Sequence, residues 1–154
     1  MIPRLLRLGF VILSMLSLLG VAGCSGGAQP SAVSTLTVSD AWVRLTAGLA
    51  EPAAGYLTIV NHGTADDALV SASSPQAALV AVHQSSMDSA GMMGMAPVAR
   101  LDCPIGWTVA FAPGGYHLMI SGLTVQLKAG DRLELDLVFE HAGTIVVQAD
   151  VRKT

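Results

Sequence analysis

Between positions 132 and 140 the chain alternates. Leu133, Leu135, Leu137 and Phe139 are apolar, and Glu134, Asp136, Val138 and Glu140 stand between and after them. Successive strand side chains point to opposite faces, so this pattern predicts a strand with one buried face and one largely wet face. Helical signals are nearly absent: no long stretch carries apolar residues at three-to-four spacing between caps. Short β-rich runs recur instead, over 35–45, 55–60, 68–73, 78–84, 108–111, 117–121, 132–140 and 144–151. Asn61-His-Gly63, Pro113-Gly-Gly115, Ala129-Gly-Asp131 and His141-Ala-Gly143 punctuate them as turns. The expectation is an all-β protein, a small antiparallel β-sandwich without internal repeats. The length of 154 residues suits one domain, and 52% hydrophobic residues are too many for a disordered chain. A net charge of −3 leaves no basic surplus to neutralise phosphates, so no nucleic-acid partner is expected.

The first 24 residues read as an address. Arg4 and Arg7 precede an apolar run over 8–19, and Gly20-Val-Ala-Gly-Cys24 supplies small residues. These are the n-region, h-region and cleavage zone of a signal peptide, and a largely apolar run of twelve residues falls short of the roughly 20 that a span needs. Val21-Ala-Gly-Cys24 resembles the bacterial lipobox, whose cysteine becomes the acylated first residue of the mature chain. The expected organisation is a signal peptide over 1–23, a lipidated Cys24 with a flexible small-residue tether over 24–34, and a folded domain over 35–154. The domain would stand outside the cytoplasm, held to a bacterial membrane by its lipid. Cys103 is then the sole cysteine of the domain, so no internal disulfide and no cysteine-rich zinc site can form.

Methionine is the compositional anomaly. Met87, Met92, Met93 and Met95 fall within nine residues of a Gly-, Ser- and Ala-rich stretch that reads as a loop or hairpin tip. Core methionines are usually single gap-fillers among leucine and valine, and this segment could not easily bury four. His83 ends the run just before it. His117 and Met119 occupy alternate positions of a predicted strand, hence one face, about 7 Å apart along it. Imidazole with thioether is a donor set suited to Cu(I), with little to offer Zn²⁺, Mg²⁺ or Ca²⁺. Thioethers also escape the disulfide exchange that threatens thiolate sites outside the cytoplasm. The composition points to Cu(I) carried through an oxidising compartment.

The spacing of these residues resembles the periplasmic copper chaperones of the PCuAC type. Eleven residues separate His83 from Met95, and twenty-one separate Met95 from His117, which is followed by Met119. Asp40-Ala-Trp-Val-Arg44, Gly55-Tyr-Leu-Thr58, Ala72-Ser-Ser-Pro75 and Pro113-Gly-Gly-Tyr-His-Leu-Met119 extend the likeness over the domain. An optional methionine of the pattern is replaced by Gln84, which leaves four ligands intact. The resemblance implies a cupredoxin-like (immunoglobulin-like) sandwich that binds one Cu(I) ion through His83, Met95, His117 and Met119. It implies delivery by ligand exchange to a copper-accepting protein, such as the CuA subunit of cytochrome oxidase or another copper chaperone. Met93, Met92 and Met87 are auxiliary donors in this reading, and the chain is expected to act as a monomer.

Other residues read more plainly. His62 and His141 lie in turn sequences, and Trp42 and Trp107 suggest core or rim packing. Cys103, between Asp102 and Pro104, reads as a turn residue with a structural or exposed thiol. An electron-transfer cupredoxin using Cys103 is the alternative, and a metal-free interaction module docking through the methionine loop is a third. No Ser/His/Asp arrangement, carboxylate pair or phosphate loop stands out, so the chain is read as a carrier and not an enzyme.

Overall fold

A computed structural model describes residues 35–45, 48, 51–87, 89 and 91–153. The expected signal peptide, the lipidated Cys24 and the tether lie outside the described residues. Ten strands follow in order: β1 (Leu36–Arg44), β2 (Ala53–Asn61), β3 (Asp67–Ser73), β4 (Ala77–Met87), β5 (Met93–Pro97), β6 (Leu101–Cys103), β7 (Thr108–Ala110), β8 (Tyr116–Leu123), β9 (Arg132–Phe139) and β10 (Gly143–Arg152). No helix occurs among the described residues. All eight runs expected from the sequence form strands with slightly shifted ends, and two strands are additional. β5 (Met-Gly-Met-Ala-Pro) has no β-branched or aromatic residue, and β6 is only three residues long. Neither carries a pattern that propensity can register.

The strands form one sheet in the order β5-β4-β8-β2-β1-β10-β9-β3-β6, with β7 attached to β2. A further pairing of β3 with β4, through Ala72 and Val80, links the two arms so that the sheet curls on itself. The all-antiparallel expectation needs one correction, because β1 and β10 pair in parallel. Parallel neighbours need a long connection, and the whole intervening chain supplies it.

The core lies inside the curl. Leu133, Leu135 and Leu137 are fully buried with Phe139, as their alternation predicts, and meet Leu57, Ile59, Leu118 and Ile120. In β1 a bulge between Ser39 and Trp42, with Asp40 at φ +52°, changes the phase of the strand. Leu36 and Val38 pack inward before it, and Ala41 and Val43 do so after it. Arg44 is thereby turned to the outer face. Trp42 packs its ring on Tyr56 at 4.5 Å, with the Arg152 guanidinium 5.6 Å from the indole centroid. Trp107 contradicts the packing expectation: it sits just before the short strand β7 and is 64% exposed.

Asp67 pins the far end of the sheet. Its buried carboxylate accepts backbone N–H bonds from Ala68, His141 and Ala142 at 2.7–3.0 Å, closing the turn between β9 and β10. Alanine at this position strands those donors, so Asp67→Ala should cost about 3 kcal/mol in urea unfolding. A change below about 1 kcal/mol would show that water replaces the carboxylate freely.

Candidate metal site

The outer face of β4 and β8 is set by the core behind it. Val80 and Val82 of β4, with Leu118 and Ile120 of β8, point inward and are buried. Alternation therefore sends Ala81, His83 and Ser85, together with His117 and Met119, to the other face. Antiparallel register then pairs His83 directly with His117, and Ala81 with Met119. The two imidazole rings stand 5.9 Å apart between centroids and are inclined at 51°.

A tight turn holds His117. The Gly115 N–H donates to the Ala112 carbonyl at 3.0 Å, and Gly114 adopts φ +83° after Pro113. Proline at the second position and a left-handed glycine at the third make a type II turn. The turn presents the Gly115 carbonyl inward, where it accepts the Ser85 N–H at 3.0 Å. That carbonyl also lies 3.2 Å from Nδ1 of His117. A carbonyl can only accept, so Nδ1 donates and the Nε2 lone pair of the neutral ring is left for a metal.

His83 carries the complementary signal. Its Nδ1 is buried without a hydrogen-bond partner among the described residues. An unpaired buried polar atom costs about 1–3 kcal/mol, and a metal ion would satisfy it. Met95 enters from β5, which pairs with the outer edge of β4: Ser85 faces Met95 and His83 faces Pro97. Met95 and Met119 thus flank the histidine pair from opposite sides. An open cleft of about 370 Å³ is lined by Met95, His117 and Met119 together with Ser85, Pro113 and Arg44. His83 does not line it and stands half-buried beside His117 in the neighbouring strand.

The face gathers two imidazoles and two thioethers as candidate donors, and among the described residues no carboxylate lines the cleft. Among the described residues no group of three or more His, Cys, Asp or Glu could hold a metal ion. Among the described residues, Arg44 is the one formally charged residue on the cleft wall. It reaches that position through the row Arg44–Ala54–Met119 across β1, β2 and β8. A guanidinium beside the site repels a divalent ion about twice as strongly as a monovalent one. The sequence contains Arg44 and Gly115 but does not signal their roles, because the bulge that turns Arg44 outward leaves no local pattern. The Pro-Gly-Gly triplet, by contrast, announces its turn.

The remaining candidates separate clearly. Met87 faces Met93 across the β4–β5 hairpin, and both are exposed, as is Met92 at its tip. Met95 lies on a strand rather than in a loop. His62 and His141 are exposed turn residues, as expected. Cys103 corrects the turn expectation: it ends β6, is buried in the core and directs its thiol at the Leu101 carbonyl. Burial pushes this thiol upward in pKa, and the nearby Asp67 and Asp102 add to the effect against a lowering backbone hydrogen bond. A core thiol raised in this way is a poor source of thiolate for a metal.

Known proteins resemble this chain in sequence and in fold. Residues 36–151 match a family model described as "Putative lipoprotein LpqE-like". The chain is 30% identical over 141 residues to "Putative lipoprotein Lxx21020" of Leifsonia xyli subsp. xyli, covering 88% of this chain and 84% of that protein. Among solved structures it is similar to the apo PCuAC domain from PmoF1, with TM-score 0.65 and 28% identity over 79% of this chain and all of that domain. It is also similar to the solution structure of CuI-DR1885 from Deinococcus radiodurans, with TM-score 0.60, 28% identity, and coverage of 86% and 87%.

Proposed function

The chain belongs to the LpqE-like family, and we propose that it is an extracytoplasmic Cu(I) carrier held to the membrane by lipid on Cys24. One ion is bound by His83, Met95, His117 and Met119 on a cupredoxin-like sandwich. The observation that carries this reading is the orphaned Nδ1 of His83 beside His117, whose Nδ1 is committed to Gly115. Met95 and Met119 add soft neutral donors on the same face. The Cu(I)-loaded form of the similar Deinococcus protein supports the choice of ion.

Release by ligand exchange fits the same arrangement. Every residue of β5 is exposed, so a partner's donor can displace Met95 before the strand ligands of β8 let go. The recipient is a copper-accepting protein, the CuA subunit of cytochrome oxidase or another chaperone, and the carrier works as a monomer without catalysing a reaction. The electron-transfer alternative lacks its thiolate, because Cys103 is in the core. Equilibrium dialysis of the full chain against Cu(I) under reducing conditions tests the proposal. One tightly bound ion per chain is expected, and no binding at micromolar copper would leave the metal-free interaction module in its place.

Anchoring has its own test. Cys24→Ser should move the protein from the membrane fraction to a soluble or unprocessed form. Normal processing and membrane retention of that variant would contradict the lipobox reading.

A further inference from the structure

Three exposed methionines of the β4–β5 hairpin, Met87, Met92 and Met93, are not used by the four-ligand site. Met87 and Met93 are directly paired across the hairpin and are 67% and 59% exposed. Directly opposed strand residues share a face, with Cβ atoms about 4.5–5.5 Å apart, so two thioethers can close on one ion between them. Alternation places Met95 on that same face, two residues from Met93, and Ser85 and His83 follow Met87 in turn. A row of sulfur donors therefore leads from the hairpin end to the histidine pair.

Methionine side chains are ordinarily among the most buried in a folded protein. The neighbouring residues do not make an apolar docking patch of the usual kind. Ser85, Ser86, Gly91 and Gly94 flank the pair in sequence, and between positions 85 and 96 the only large apolar residues are methionines. What the surface offers is soft, neutral sulfur without an accompanying leucine, valine or aromatic ring. Such donors suit a soft monovalent cation.

Building on the carrier reading above, we infer that Met87 and Met93 form a second, thioether-only Cu(I) site that loads the His/Met site through Met95. Each step exchanges one Cu–S or Cu–N bond for another, and the ion stays Cu(I) throughout. The hairpin site holds the ion weakly and without competition from protons, because thioethers do not titrate in water. Met95 is shared between the two sites, entering the first coordination sphere as Met87 or Met93 leaves it.

The full chain with ¹³C-methyl-labelled methionine, titrated under reducing conditions with Cu(I) and separately with redox-inert Ag(I), tests this by NMR. The first equivalent should shift the Met95 and Met119 methyls, and the second those of Met87 and Met93. The double variant Met87→Leu/Met93→Leu should lose the second equivalent and load more slowly from a Cu(I) chelate, although leucine keeps the apolar surface. His117→Ala should lose the tight site while the Met87 and Met93 shifts persist. If the first equivalent moves Met95 and Met119 but no further metal moves Met87 or Met93, the hairpin site is wrong and the carrier reading stands. If the first equivalent moves only Met87 and Met93, the four-ligand reading falls and the hairpin site stands.

Discussion

Replacing His117 with alanine should lower apparent Cu(I) affinity by more than about a hundredfold, whereas Met87→Ala should leave the tight site nearly as strong. Loss of a residue that merely orients a metal ligand costs about 10–100-fold, so loss of a ligand itself should exceed that range. No substitute is at hand. His117 is buried on β8, held by the Gly115 carbonyl, and its one imidazole neighbour, His83, is itself a proposed ligand. Met119→Ala should fall in the same class, because the residues paired with Met119 are Ala54 and Ala81, which carry no donor. Met95→Ala should be milder, since Met93 lies two residues away on the same face of an exposed strand. Competition with a chromogenic Cu(I) chelator ranks the variants. Equal losses at Met87 and Met119 would show that the sulfur donors are assigned wrongly.

The second large effect is a steep loss of affinity in acid. An imidazole must be unprotonated to bind a metal, and thioethers have no proton to exchange. Protons bind the metal-free histidines only, so lowering the pH favours the apo form. Two competing protons make the apparent Cu(I) affinity fall by up to about a hundredfold per pH unit where both metal-free imidazoles are protonated. One histidine gives about tenfold per unit, which is the slope expected of a His83→Ala variant that still binds. A chelator titration of parent and variant between pH 7 and pH 5 measures both slopes. A flat profile in the parent would remove the histidines from the site and leave methionine alone as the donor.

Much of the frame can be read from residue order because its elements are local. The alternation of Leu133, Leu135, Leu137 and Phe139 appears in the fold as an inward-facing ladder. The same period places His117 and Met119 opposite Leu118 and Ile120. What escaped depends on partners distant in the chain. β5 is a strand because β4 runs on to Met87 and offers it an edge, not because Met-Gly-Met-Ala-Pro favours extension. The parallel pairing of β1 with β10 joins the two ends of the described domain, and no local pattern announces it. Cys103 looked like a turn residue between Asp102 and Pro104, yet β3 captures it as a core residue. Asp67 facing Cys103 in that pairing is invisible until the strands are aligned. For the site, the residue types and spacings are legible, but the pairing of His83 with His117 and the arrival of Arg44 on the cleft wall require the sheet.

The central claim is that a single Cu(I) ion is held by two imidazoles and two thioethers. X-ray absorption at the copper edge, on the full chain loaded with one equivalent of Cu(I), reads those donors directly. The account predicts a first shell of two nitrogen and two sulfur neighbours, with the imidazole outer-shell pattern lost in part on replacing His83 and again on replacing His117. A shell of sulfur alone, or one that survives both histidine substitutions unchanged, would contradict it.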